Sequence, residues 1–420
     1  MGEYVGIRIK NYDFIMYKNS FYDLLSVFSK EEIKIGVEKD DEGEDYKKYC
    51  FVSNVYKIKL VLDSLGYTIE NAKCIFEKNK AYEVEYAKEY ENEDWEFELE
   101  WTSKEIETHF TFDEWKKAVH KFAILLSEDT FDMTIGNYKA LAATKEEELS
   151  VADRVVLKTL PFGDGYFGIR EEVNVWPIFR VILDAFDDKE EVVLDYTNLY
   201  YGGWCEEYPE EKDYYAPKTI VLTEGKFDVE VIQESMQILY PHMTKYYSFM
   251  NFTDYKVQGS TNFLTHYLKA FIGAGIENRV IAIYDNDSAG MAELIGIKHI
   301  KLPENFRVFK LPSIELAESY PTLGPNGKEN MNINERACSI EMFLGKDVLM
   351  EENEFIPIQW KGYVEKTETY QGEIMNKSLV QEKFKEKVKR TKANKQYDDI
   401  EWEDLKKLLN KIFYAFYEEC

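Results

Sequence analysis

The sequence predicts an α/β protein: a parallel-sheet domain, preceded by an α+β region and followed by a helical extension. Three observations carry this. Between residues 216 and 345, short apolar runs alternate with helical stretches, the pattern of strand–helix crossovers. Two of the runs, Thr219–Leu222 and Val280–Tyr284, are apolar at consecutive positions, as in strands buried on both faces. Both runs end abruptly in carboxylates, Glu224 and Asp228 after the first, Asp285 and Asp287 after the second.

The elements follow in chain order. Residues 4–9 and 12–17 are β-type runs around Lys10-Asn11 and predict a hairpin. Residues 82–101 alternate. Tyr82, Val84 and Tyr86 are interleaved with Glu83 and Glu85, and Trp95, Phe97, Leu99 and Trp101 with further glutamates. That is period-2 patterning with one packed and one acidic face. Thr111-Phe-Asp-Glu114 resembles a capping box, and Trp115, Ala118, Val119, Phe122, Leu125 and Leu126 then fall at helical spacing. His120 lies off that stripe and reads as a surface residue.

Residues 160–168 are glycine-rich but lack the Lys-Ser/Thr of a phosphate loop. Residues 196–208 are aromatic and glycine-rich. They read as packing against the next domain, with stacking on unpaired bases as the alternative.

Helices are expected over 227–240, 263–272 and 289–299, the last with Ser288 as N-cap. Strands are expected over 246–252 and 306–311. Residues 321–330 read as a turn-rich break and 337–344 as a short helix carrying Glu341. Residues from 346 onward read as helical and charged. The expected domains are 1–215, 216–345 and 346–420.

Composition bounds the function. The 420 residues are 45% hydrophobic and 15% aromatic, enough for a real core. No apolar stretch reaches the roughly 18–20 residues of a membrane span. The N-terminus lacks a basic-then-apolar leader. The cysteines, Cys50, Cys74, Cys205, Cys338 and Cys420, form no C-x-x-C pair. A zinc knuckle or a disulfide framework is not expected, and a reducing cytoplasm is.

A net charge of −27 excludes a protein that coats nucleic acid. It leaves room for a nuclease whose approach is governed by metal ions, a local basic patch or a partner. Residues 377–395 are the clearly basic segment, either a solvated helix face or a landing strip for nucleic acid.

Ligands of open α/β sheets bind outside the carboxyl ends of the strands. Four carboxylates meeting there repel one another and favour a hard cation, most simply Mg²⁺. Glu224-Gly225 at a strand end, a helix, and then Asp285-Asn-Asp287 after a later strand resemble the topoisomerase–primase (Toprim) fold, a Rossmann-like parallel sheet, over about residues 216–345. The resemblance implies that the Asp-x-Asp pair and the Glu hold Mg²⁺ in phosphodiester chemistry. Asp228, and Glu341 within Ser339-Ile-Glu341-Met-Phe-Leu, extend the resemblance to nucleases of the overcoming-lysogenization-defect (OLD) type. It implies Glu224, Asp285 and Asp287 around one ion and Asp228 with Glu341 around another, Mg²⁺ or Mn²⁺. Lys226 would offset charge on the scissile phosphate.

The N-terminal half and the tail resemble bacterial proteins of the HEPN/Toprim-associated kind, whose implied role is antiviral defence. No arginine has a histidine four to six residues later, so HEPN ribonuclease activity is not expected. The expected function is a metal-dependent Toprim endonuclease acting on DNA or structured RNA. The alternatives are a primase-like nucleotidyl transferase and a degenerate Toprim regulatory or binding module. Expected partners are a nucleic-acid substrate and no membrane, with a partner ATPase or sensor protein and a homo-oligomer both left open.

Overall fold

Tyr4–Ile9 (β1) and Tyr12–Lys18 (β2) pair antiparallel, turning at Lys10, whose φ of 53° places it in the left-handed region. This is the expected hairpin. The computed structural model describes residues 3–19, 22–40, 42–91, 101–128, 149–159, 165–170, 174–209, 218–256, 259–325, 327–394 and 400–416. The chain divides into two compact units, Met1–Tyr215 and Ala216–Cys420.

In the first unit the hairpin joins Ile33–Lys39 (β3), Asp45–Asn54 (β4) and Glu191–Asp195 (β5). The described strands form a sheet in the order β2-β1-β5-β4-β3. Alternate residues bury one face: Val5, Ile7, Ile9, Phe51, Val192 and Leu194 are all 3% exposed or less. Helices Val55–Leu65 (α1), Ile69–Glu91 (α2), Phe112–Ser127 (α3) and Val175–Leu183 (α4) complete this unit's core.

The capping box of α3 is present: the Thr111 side chain accepts from Glu114 N, and Glu114 Oε2 accepts from Thr111 N at 3.0 Å. The expected stripe buries Trp115, Ala118, Val119, Phe122 and Leu126. His120 is half-buried rather than fully exposed. Its ring lies 3.0 Å from the Val181 carbonyl oxygen, and burial lowers its pKa.

The alternation expected to form a strand from residue 82 is instead the end of helix α2. The buried positions there are Ala72, Phe76, Asn79, Glu83 and Ala87, spaced by three or four residues, and Tyr82 points to solvent. Three alternating residues were too few to outvote that longer period. Residues 92–100 of the same pattern lie outside the described residues. So do residues 160–164 of the glycine-rich loop. Its described end is structural, with the Phe167 carbonyl accepting from Trp115 Nε1 at 2.7 Å. In the aromatic stretch, Tyr196 is buried and Tyr200 packs on Tyr49 with 4.2 Å between ring centroids, within the same unit rather than against the next.

The second unit holds the parallel sheet. Thr219–Leu222 (β6), Tyr247–Phe249 (β7), Val280–Tyr284 (β8) and Phe306–Lys310 (β9) lie in the order β9-β8-β6-β7, and every pair is parallel. All five residues of β8 are buried, as its unbroken apolar run requires. Helices Lys226–Leu239 (α5), Thr261–Gly273 (α6) and Ser288–Ile297 (α7) connect the strands. Leu264 and Leu268 of α6 pack on Leu222, Val280, Ala282 and Tyr284.

Three expectations are corrected here. The N-cap of α7 is Asp287, not Ser288: Asp287 Oδ1 accepts from Gly290 N at 2.7 Å. The break at 321–330 is a hairpin of Tyr320–Gly324 (β10) and Gly327–Met331 (β11). Residues 337–344 are not a regular helix. Ala337–Cys338 pairs antiparallel with Asn286–Asp287, and Ile340–Phe343 makes a 3₁₀ turn.

The region after 346 is not wholly helical either. Ile358–Val364 (β12) and Thr369–Ile374 (β13) join the hairpin in a sheet of order β11-β10-β12-β13. That sheet crosses residue 345, the expected domain end.

The basic segment forms helix Lys377–Asn394 (α8). Much of its charge is spent on this unit's own oxygens. Lys385 pairs with Glu230 at 3.5 Å, Lys392 with Glu234, and Arg390 with Asp347 at 3.6 Å. Lys387 is buried and donates to the Leu344 and Glu401 carbonyls and to Asp347 Oδ1, each at 2.8 Å. The helix is therefore an internal brace in large part, and not simply a solvated face.

Candidate functional site

Parallel register brings the two acidic strand ends together. Leu222 lies opposite Ala282, so Glu224 and Asp285 leave the sheet at nearly the same level. Glu224 Oε1 accepts from Asp285 N at 2.9 Å, and Glu224 Oε2 accepts from Thr261 Oγ1 at 2.6 Å. Four residues on, in the first turn of α5, Asp228 Oδ2 accepts from Gly225 N at 2.8 Å.

Asp287 caps α7 and also accepts from Gln371 Nε2 on β13 at 2.5 Å. Gln371 Oε1 in turn accepts from Ala289 N at 3.0 Å. The short pairing of Ala337–Cys338 with Asn286–Asp287 places the next turn against this edge, and with it Glu341, 1% exposed. Glu341 accepts from Ser339 Oγ at 2.6 Å and Gln381 Nε2 at 3.0 Å, and it pairs with Lys377 Nζ at 3.2 Å.

The structure thus brings Glu224, Asp228, Asp285, Asp287 and Glu341 together, and their electrostatics agree. Burial raises the pKa of Glu224 to about 7, with Asp287 adding to it and the bonds from Thr261 and Asp285 opposing. Burial, then Glu341 and Glu224, raise Asp228 to about 7. Asp285 is pushed well above the usual carboxylate range by burial and by all four of the others. Asp287 is raised by burial against the bonds from Gly290 and Gln371.

Lys226, the expected counter-charge, is exposed at the start of α5 and lines a cleft with Glu230, Gln233 and Lys385. The cation whose charge bears on Glu224, Asp228 and Asp287 is Lys377. Burial works against its charge, yet the Glu341 carboxylate holds its pKa above the ordinary lysine value. Sequence reasoning placed Lys377 only in the basic segment. Thr261, Gln371 and Gln381 carried no signal at all.

The donor set is all hard oxygen, crowded and mutually repelling, which suits Mg²⁺ or Mn²⁺. The oxygens do not stand in ligand positions. Among the described residues no three His, Cys, Asp or Glu side chains are already arranged to hold a metal ion. Each carboxylate with a bond named above is held by protein donors.

The raised pKa values make a prediction. Carboxyls raised in the folded state give stability that is fully present below the unfolded value near 4, and that is lost as pH rises through about 7. The metal-free protein is therefore expected to melt at lower temperature at pH 8 than at pH 5.5, and excess MgCl₂ to raise the melting temperature more at pH 8. Glu224→Gln should flatten both trends. Equal MgCl₂ shifts at the two pH values, unaltered in Glu224→Gln, would count against a cation among these carboxylates.

The second unit is thus of the open parallel α/β class, whose ligands bind outside the carboxyl ends of the strands, the edge where these acidic residues gather. A family model described as HEPN/Toprim N-terminal domain 1 matches residues 1–218, and the chain belongs to that family. No curated protein and no solved structure matches it. Among the described residues no helix is long and apolar enough to cross a membrane.

Proposed function

We propose that the unit from Ala216 to Cys420 is a divalent-metal-dependent endonuclease that cleaves phosphodiester bonds in DNA or structured RNA, and that it serves as an antiviral, anti-phage effector. One observation carries the reading: Glu224, Asp228, Asp285 and Asp287, gathered where two parallel strands end, are all raised in pKa by burial, and the charge of Glu341 adds to the rise at Asp228 and Asp285. Such an arrangement is costly to the fold unless charge arrives to offset it. Membership of a family named for HEPN and Toprim effectors is consistent with it.

Glu224, Asp285 and Asp287 would hold one Mg²⁺ or Mn²⁺, and Asp228 with Glu341 a second. Bound there, the ions would polarise the phosphoryl group and activate water. The protein's own part is positional. Thr261 and Gln371 aim Glu224 and Asp287, and Gln381 steadies Glu341. Lys377 keeps one fixed positive charge at the edge where a phosphate would bring negative charge. A cation bound there would take up oxygens that these hydrogen bonds now hold.

The second reading is a regulatory or binding module with a spent Toprim site. The lack of a ready-made three-ligand cluster among the described residues favours it. The deciding experiment incubates the full chain with a panel of single-stranded, duplex and hairpin DNA and RNA, in Mg²⁺ and in Mn²⁺. Metal-dependent cutting is expected. If nothing is cut with either ion, and calorimetry finds no metal binding up to the millimolar range, the second reading stands.

A further inference from the structure

The sheet formed by β10 to β13 has no part in the carboxylate set beyond Gln371, yet it encloses a pocket of about 600 Å³. That volume is within the range that holds a small organic ligand. Trp360 is part of its lining. A Cβ on Gly324, on one neighbouring strand, would stand 3.5 Å from the indole, and one on Gly372, on the other, 3.0 Å. No side chain covers the indole at Gly324, whereas Gly372 is buried, with Ile358 and Ala337 beside it. Tyr370 lines the same pocket and is 59% exposed. It sits edge-on to Tyr363, itself 54% exposed, with 5.3 Å between ring centroids. Arg336 and Lys361 are the cations of the lining, and Glu329 and Glu368 the anions.

The pocket is tied to the carboxylate edge through backbone. Arg336 forms a bridge with Asp287, and its carbonyl accepts from Ser288 N and from Gly372 N, each at 3.4 Å. The Tyr370 carbonyl accepts from Ser288 Oγ at 3.1 Å, and the next residue, Gln371, holds Asp287. Two residues of the lining, Arg336 and Tyr370, are thus joined directly to the segment that carries Asp287.

We propose that this pocket takes an unpaired nucleobase flanking the phosphate at the carboxylates, by stacking on Trp360 and Tyr370, so that the substrate is single-stranded or locally unpaired nucleic acid. The inference rests on the nuclease reading. Stacking rather than charge has to supply the affinity. The lining carries two cations and two anions, and the chain as a whole is at −27, whereas every base offers a π-face. A blunt duplex keeps its bases stacked on one another and cannot offer one without unpairing.

The test uses the full chain in EDTA with labelled single-stranded DNA, single-stranded RNA and blunt duplexes of the same sequence, read by fluorescence anisotropy. Single strands are expected to bind about tenfold more tightly than duplex. Tyr370→Ala is expected to lose about tenfold of that affinity, and Tyr370→Phe to retain it. The salt dependence should be shallow, as for one or two phosphate contacts. The DNA and RNA arms show which sugar is preferred. Far-UV circular dichroism melts establish that the exposed Tyr370 variants are folded, and Trp360→Leu provides a second variant.

Equal affinity for duplex and single strand overturns the proposal, as does unchanged single-strand affinity in both folded variants, or no binding at all. If the chain cuts nucleic acid but Tyr370→Ala binds and cuts like the wild type, only the pocket assignment fails. If single strands bind through Tyr370 but nothing is cut with either metal, the nuclease reading fails and the pocket stands.

Discussion

Replacing Asp285 with Ala is expected to abolish metal-dependent cutting and, in the metal-free protein, to raise the melting temperature. The two effects share one cause. Asp285 is raised by burial and by repulsion from Glu224, Asp228, Asp287 and Glu341. A group so placed would serve a cation in the proposed site, and without one its charge is repelled by its neighbours. Removing one preorganised charged group from such a site costs on the order of 10³-fold in rate. Relief of the repulsion is on the order of 1 kcal/mol at pH 8, or about 2–4 °C for a unit of this size. Asp285→Asn, which keeps the shape, should behave in the same way. Cleavage rates in Mn²⁺ and melting curves in EDTA measure both. A variant that cuts at the wild-type rate sinks the catalytic role, and one that melts lower in EDTA sinks the repulsion argument.

Gly290→Ala is expected to damage both stability and activity, although it adds one methyl group. Gly290 lies in the first turn of α7. A Cβ there would run into the Asp285 carbonyl oxygen and come within 3.2 Å and 3.3 Å of the Asp285 carbonyl carbon and nitrogen. All of these are backbone atoms, which cannot rotate away. The helix would have to lift from the strand end, carrying with it Asp287, its N-cap. Overpacking of this kind costs about 1–3 kcal/mol, partly offset by up to about 1 kcal/mol of better helix propensity. A displacement near 1 Å in the site costs on the order of 10²-fold in rate. Gly273→Ala is the control: it lies in α6 with no atom within 4 Å of the added carbon, and it should be neutral or slightly stabilising. If Gly290→Ala melts and cuts like the wild type, the close approach of α7 to Asp285 is not what fixes the site.

The parts of the fold written in local pattern were legible. The apolar runs 219–222 and 280–284, the capping box at Thr111 and the hairpin at Lys10 each follow from residues adjacent in sequence. So did the meeting of Glu224 with Asp285, which needs only parallel register. What the sequence hid was non-local. The strand Ala337–Cys338 is two residues long and is fixed by its partner, not by propensity. Gly324 and Gly327 punctuate a hairpin and so resembled a linker. Lys361 and Glu365 interrupt the apolar pattern of β12 and its turn, and the charged surroundings favoured a helical reading. Lys377 looked like one lysine among many because its role depends on Glu341, 36 residues earlier in the chain.

The pairing of Ala337–Cys338 with Asn286–Asp287 also fixes an order in time. A ribosome releases Glu224, Asp228, Asp285 and Asp287 first. The turn bearing Glu341, then Gln371 and Lys377, emerge later. Until then the early carboxylates lack the side chain that holds Asp287 and the lysine that balances Glu341. For the proposed nuclease, that order would keep the cutting edge unfinished beside messenger and ribosomal RNA until these later segments have emerged.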